Sequence, residues 1–233
     1  MTINVPNLVK PSIIESVKIL IESDFSIQDA LSRGYGNSSE IARILKPSID
    51  NMMKKNIKLD SIITSVKRTK FNYNVYSDSV TRIIANSTIS VKTDVIKLSL
   101  KRSSVTLNLV SKLISKYQED FLQVSESLSA LTIIFDSNIL SIVRKSFSKS
   151  DILEEELNLA AIMIHSPKQI IKTPGCTILF YNQLLRRRIN IEDTTSCFTD
   201  TILVVYMDKV GNAFMALTEL ISLYRKKLLP PNQ

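Results

Sequence analysis

The chain has 233 residues, room for one or two domains at roughly 150 residues each, with 44% hydrophobic and 22% charged residues and a formal net charge of +8. It holds one His, two Cys, no Trp and four Gly. That inventory excludes a disulfide scaffold and leaves His165, Cys176 and Cys197 as the whole stock for a zinc cluster, which needs about four ligands. No two glycines stand at dinucleotide-loop or P-loop spacing. The longest apolar runs, Leu159–Ile164 and Ile202–Met207, fall far short of the ~18 residues that span a bilayer. Met1–Pro6 lacks the charged start and apolar stretch of a secretory leader. The expectation is a cytoplasmic protein with reduced thiols and no cofactor.

The positive charge is not a general coat. Residues 1–90 carry 12 basic and 8 acidic side chains, residues 91–156 carry 9 of each, and residues 157–233 carry 9 and 5. In the first stretch the excess sits between Lys46 and Lys70. Residues 11–70 read as helical. An apolar stripe runs from Ile13 to Ile21 behind Ser12, and Ser26 is the expected cap of a short second helix. Gly34-Tyr35-Gly36 breaks it, and Asn37 with Glu40 forms a capping-box pattern before Ile41, Ala42, Ile44 and Leu45. Pro47 suits the first turn of a separate helix, Ser48–Lys55, and a further helix runs from Leu59 to about Lys70. Residues 71–90 are a polar joint with a short helix near Val80–Ala85.

From residue 88 the periodicity changes to α/β. The expected order is strand 95–101, helix 104–117, strands 120–128 and 130–136, helix 138–155; then strand 157–165, helix 175–188, strands 189–197 and 201–207, helix 209–227. The same strand-helix-strand-strand-helix order occurs twice with a period of about 65 residues, which indicates an internal duplication. The expected domains are 1–75, 76–156 and 157–233.

Thr173-Pro174-Gly175, the helix from Cys176, Ile189-Asn190-Ile191 and the apolar strand after Thr199-Asp200 together resemble the ACT domain family. In that family a strand leads through a Pro-Gly loop into a helix and an Ile-Asn-Ile strand. Residues 157–227 carry the resemblance; residues 89–155 look like a degenerate copy with Ser103-Ser104 in place of Pro-Gly. The pair is similar to the tandem regulatory domains of aspartate kinases. The resemblance implies an α+β fold of two ferredoxin-like domains and an amino-acid effector bound where two of them meet, at Pro174, Gly175, Cys176, Asn190 and Ile191. Physically, Gly175 opens a helix whose free N–H groups attract a carboxylate, and Asn190 supplies both donors and an acceptor. The family's closing strand is missing after Lys227, where two prolines follow; residues 88–93 or a partner chain are the expected substitutes.

Ser38–Leu45 resembles the first helix of a helix-turn-helix or winged-helix unit, with Ser48–Lys55 as recognition helix. Its expected nucleic-acid contacts are Lys46, Asn51, Lys54, Lys55, Lys58 and Arg68. The run Ala30–Arg43 is similar to one in a group of archaeal proteins that join a helical segment to an ACT domain. Two readings stay open. One is a dimeric, effector-sensing transcriptional regulator that binds double-stranded DNA; the other is a regulatory subunit that docks on an enzyme of amino-acid metabolism. Neither has a membrane partner. An enzyme is the least favoured class, since one His and no metal or phosphate motif leave little chemistry to build with.

Overall fold

The computed structural model describes residues 11–32, 34–69 and 78–229. The first ten residues, Lys70 and the joint at 71–77 lie outside them. Contacts divide the chain into two compact units, Met1–Val75 and Tyr76–Gln233.

The first unit holds four helices: α1 (Ile13–Glu22), α2 (Phe25–Ser32), α3 (Ser38–Met53) and α4 (Leu59–Arg68). Ser12 and Glu15 form a reciprocal capping box on α1. Asp24, rather than the expected Ser26, opens α2: its carboxylate accepts the Ser26 and Ile27 N–H groups at 2.9 and 3.2 Å. Gly34, at φ +78°, makes the turn out of α2. Asn37 caps α3 as expected, accepting from the Ser39 and Glu40 N–H groups, while Glu40 pairs with Arg43 instead of closing a box. The expected break at Pro47 is absent, and residues 38–53 are one helix with the proline inside. Pro47 removes one backbone bond, but Ile41, Ala42, Leu45 and Ile49 form one continuous buried stripe across it. They pack on Val17, Ile21, Ile57, Ile62 and Val66, and that burial outweighs a local cost of about 3 kcal/mol.

The second unit is built on a six-stranded antiparallel sheet in the order β2-β3-β1-β4-β6-β5. The strands are β1 (Thr88–Lys101), β2 (Leu122–Glu126), β3 (Ala130–Asp136), β4 (Ile152–His165), β5 (Asp193–Cys197) and β6 (Asp200–Tyr206). Its helices are α5 (Asp78–Ala85), α6 (Ser104–Lys116), α7 (Leu140–Ser146), α8 (Cys176–Arg186) and α9 (Val210–Leu228). The twofold element order expected from sequence is present: β1-α6-β2-β3-α7 and β4-α8-β5-β6-α9.

Two elements are longer as strands than expected. β1 begins at Thr88, and the first half of β4, Ile152–Leu157, replaces the tail of the expected helix 138–155. Both halves of each strand have a use. Residues 95–101 of β1 lie between β3 and the first half of β4, with Ser99 opposite both Thr132 and Glu154. Residues 159–165 of β4 lie between β6 and the first half of β1, with Met163 opposite both Ile202 and Ser90. Each repeat is thereby completed to β-α-β-β-α-β, and residues 88–92 supply the strand missing after Lys227. The passage from one repeat to the next occurs at Asp94 and Asn158, seventh in their strands and both at φ +57°, a left-handed conformation that Asp and Asn tolerate. β4 runs unbroken through the 156/157 boundary between the expected second and third domains.

One face of the sheet is covered by α6 and α7 over Ile96, Leu98, Leu100, Leu131, Ile133 and Phe135, and by α9, which packs on β1, β4 and β6. The opposite face carries Val95, Ile134, Leu159, Ala161, Ile202 and Val204 with Phe121 and Met163. The sheet curls around this cluster until its edges meet: Ser125 on β2 and Thr195 on β5 are 3.1 Å apart.

Candidate functional site

The two repeats differ most where their first strand gives way to a helix. In the first repeat two residues, 102–103, link β1 to α6. Ser103 accepts the Thr106 N–H at 3.1 Å and donates its own N–H to Thr106 Oγ1 at 2.9 Å, so the start of α6 is closed by its own side chains. In the second repeat ten residues, 166–175, link β4 to α8, including a 3₁₀ turn at Lys168–Lys172. They end at Gly175, φ +91°, which opens α8 with no side-chain cap. A side chain here would meet left-handed strain, so glycine is the residue that fits. Pro174 is exposed and Gly175 half-buried. A cavity of about 390 Å³ lined by Lys168, Gln169, Ile171, Lys172 and Thr173 lies just before it in the chain.

The five expected ligand residues are not gathered in one place. Cys176 is buried, and burial pushes its thiol up to about 11, which keeps it neutral despite its position at a helix start. Asn190 and Ile191 follow the far end of α8, an eleven-residue helix about 16 Å long. They precede β5 rather than opening it, since the strand begins at Asp193 instead of the expected 189. Arg188 turns there at φ +53°, and the Ile189 N–H bonds back to the Leu184 carbonyl at 3.0 Å. Asn190 is exposed and donates to Glu192 Oε1 at 2.7 Å.

His165 stands exposed at the end of β4, with Nδ1 2.5 Å from Asp200 Oδ1 and 3.4 Å from Thr199 Oγ1. Cys197 is also exposed. Among the described residues, no group of three or more His, Cys, Asp or Glu side chains is placed to hold a metal ion, and no helix is long and apolar enough to cross a membrane.

A charged cluster that periodicity alone did not single out sits on the curled face. Lys97 donates to Glu156 Oε2 at 3.0 Å and to the Glu192 carbonyl at 3.2 Å, with Glu154 at 3.7 Å. Burial disfavours the Lys97 ammonium, but the Glu156 hydrogen bond and the charges of Glu156, Glu154 and Asp193 outweigh it and raise its pKa. Burial raises the Asp193 pKa against the pull of Lys97. On the same face Lys92 pairs with the buried Asp136. Part of the sequence signal was present, since Lys97 stands between Ile96 and Leu98 along β1. Glu154 and Glu155 fall inside the expected helix 138–155 and lie instead in β4.

In the helical unit, Lys46 is held in a clasp. Its ammonium donates to Asp50 Oδ2 and Asn56 Oδ1, each at 2.6 Å, and to the Ile57 carbonyl at 2.9 Å. The expected recognition helix at Ser48–Lys55 is the second half of α3, with Lys54 at φ +52° closing it. Asn51, Lys54, Lys55, Lys58 and Arg68 are exposed. Lys58 and Arg68 stand at opposite ends of α4, about 15 Å apart. The basic stretch is therefore two groups, one at each end of that helix.

No protein-family model and no curated protein sequence matches the chain significantly. Among solved structures it is similar to the aspartate kinase of Clostridium acetobutylicum at 12% identity and TM-score 0.48, covering 57% of this chain and 34% of that one. It is similar to the regulatory subunit of aspartate kinase from Thermus thermophilus at 10% identity and TM-score 0.47, covering 57% and 95%. It is similar also to the aspartate kinase of Synechocystis at 16% identity and TM-score 0.49, covering 64% and 28%. The chain thus spans about a third of the whole kinases it resembles and nearly all of that regulatory subunit.

Proposed function

We propose that the protein is an effector-sensing regulator that binds an amino acid at the start of α8. The observation that carries this reading is the contrast between the repeats: α6 caps itself through Ser103 and Thr106, whereas α8 begins at Gly175 with no side chain to occupy its N–H groups. A carboxylate is the natural partner for such an end, and the resemblance at Pro174-Gly175 points to the same place. Because Asn190 lies at the other end of α8, the complete site takes Pro174 and Gly175 from one chain and Asn190 with Ile191 from a second copy. The protein acts as a homodimer or a larger homo-oligomer.

The test is thermal shift of the full chain with each of the twenty amino acids, followed by complementation. Gly175→Val and Asn190→Ala each abolish the shift given by the amino acid that binds at α8, and a mixture of the two variants restores part of it, because one of the two sites in a mixed dimer keeps both halves. No shift with any amino acid, or no restoration on mixing, refutes the reading.

The helical unit carries the output. Continuity of α3 through Pro47 removes the separate recognition helix of a helix-turn-helix, and docking on an enzyme of amino-acid metabolism is the other reading. The DNA reading keeps the exposed Lys54, Lys55 and Lys58 as its phosphate contacts. Retardation of duplex DNA at low salt, lost in Lys54→Gln/Lys55→Gln, decides for DNA; its absence removes the DNA reading.

A further inference from the structure

The β4–α8 link also contributes one wall of a second cavity, of about 510 Å³, through Pro167 and Gln169. Its other wall is α5. The lining is Ser79, Arg82, Ile83 and Asn86 from α5 with Pro167 and Gln169 from the link. The walls are fixed to one another. Ser87 Oγ, just past α5, and Ser166 Oγ, the first residue of the link, are 3.0 Å apart and both buried. Arg225 of α9 holds the end of α5 by donating to the Ala85 and Ser87 carbonyls at 2.8 and 3.2 Å. A groove with preset walls loses little ordering entropy when it is filled.

Its chemistry is asymmetric. Ile83, buried, and Pro167, half-buried, give it an apolar floor. Arg82 is exposed beside them. Asn86 donates its amide N–H to the Arg82 carbonyl at 2.8 Å and keeps its Oδ1 as an acceptor, and the Gln169 amide brings a second acceptor to the lining.

We infer that this cleft is a second small-molecule site, separate from the start of α8, for a small carboxylate that carries an apolar chain and a hydrogen-bond donor next to the carboxylate. The guanidinium takes the carboxylate in a forked pair, the amide oxygens take the donor, and the chain lies on Ile83 and Pro167. An apolar α-amino acid satisfies all three contacts. Its 2-oxo analogue keeps the carboxylate and the chain and loses the donor. The first repeat, with only two residues in the corresponding link, has no such wall.

The test is isothermal titration of the full chain with L-leucine, 4-methyl-2-oxopentanoate and L-aspartate. L-leucine binds, the oxo acid binds more weakly, and L-aspartate does not bind at this cleft. Arg82→Gln weakens L-leucine roughly tenfold or more and Arg82→Lys less so, while Lys149→Gln, which removes an exposed cation of the first repeat outside both sites, leaves this binding unchanged. Since Arg82 and Asn86 are both exposed, the variants fold, and circular dichroism verifies it. Binding insensitive to Arg82→Gln overturns the site, as does no binding of either six-carbon acid at millimolar concentration. L-leucine binding lost in Asn190→Ala but kept in Arg82→Gln assigns the amino acid to α8 and removes this cleft from the account.

Discussion

Lys97→Met puts the charged cluster on the curled face to a quantitative test. The Lys97 side chain is 13% exposed and that of its partner Glu156 18%. Removing one member of a fully buried pair costs about 3–5 kcal/mol, because the other charge is left without compensation; at this partial burial we expect about 2–3 kcal/mol at pH 7. The loss has a pH signature. Asp193 already has a raised pKa through burial, against the pull of Lys97. Without that pull its folded-state pKa rises further. A raised folded pKa contributes stability that is present below the unfolded value and lost as pH rises through the folded one. The variant therefore gains relative stability as pH falls from 7 through the carboxylate range, and its deficit is largest at neutral pH. Lys97 itself, raised in the wild type, contributes stability below its ordinary 10.5 that fades above it. With no Trp in the chain, urea unfolding is followed by far-ultraviolet circular dichroism at pH 4.5, 6 and 7.5, and hydrogen exchange assigns the transition to the sheet. Adding Glu156→Gln recovers about 1–2 kcal/mol. A deficit below about 0.5 kcal/mol, or one that does not change with pH, refutes the reasoning.

Pro47→Ala restores the one backbone bond missing inside α3 and stabilises the helical unit by about 1–3 kcal/mol in thermal or urea unfolding; a neutral or destabilising result means that the chain needs the proline's fixed backbone. Native protein titrates with a single equivalent of Ellman's reagent, at the exposed Cys197, and the second thiol appears only on denaturation. Because burial pushes Cys176 up to about 11 from 9.0, stability falls by about 3 kcal/mol between pH 9 and 11, and Cys176→Ala flattens that part of the profile. Arg225→Met leaves the Ala85 and Ser87 carbonyls without their charged donor; the expected cost is about 2–4 kcal/mol, with α5 amides the first to lose exchange protection.

The repeated element order was legible because apolar residues alternate along strands and recur at helical spacing in helices, and Ala130–Asp136 was placed to the residue. Three things were not legible, each for a tertiary reason. The run Ile152–Leu157 carries three glutamates and has a helical composition. It is a strand because Glu156 meets Lys97 and Glu155 meets Arg144 once β4 lies beside β1. Pro47 reads locally as a helix start, and only the buried stripe on both sides of it shows one helix. The separation of Gly175 from Asn190 follows from the length of α8, a distance that a motif written as a string conceals. Gly175 and Asn37 were found correctly as local features, since the demand they answer, a left-handed turn in one case and a helix cap in the other, lies within a few residues.

The interlacing of β1 and β4 changes what the duplication means physically. In a simple tandem each repeat buries its own core and the link between them is a tether. Here the first half of β4 is the last strand of one repeat and its second half the first strand of the next, while β1 does the same in reverse. Neither repeat keeps a complete sheet without the other, so the pair unfolds as one body, and a displacement of either long strand is felt on both sides of Asp94 and Asn158. The difference between the copies then falls on the one link that no strand pairing constrains. The short link in the first repeat holds its helix start closed with its own hydroxyls. The ten-residue link in the second leaves its helix start open and lines two cavities. On the proposed reading, the first repeat is the framework and the second the sensor. On that reading α5 and the first half of β1, which pack on the second repeat, are the elements of this unit on which occupancy of either site bears first.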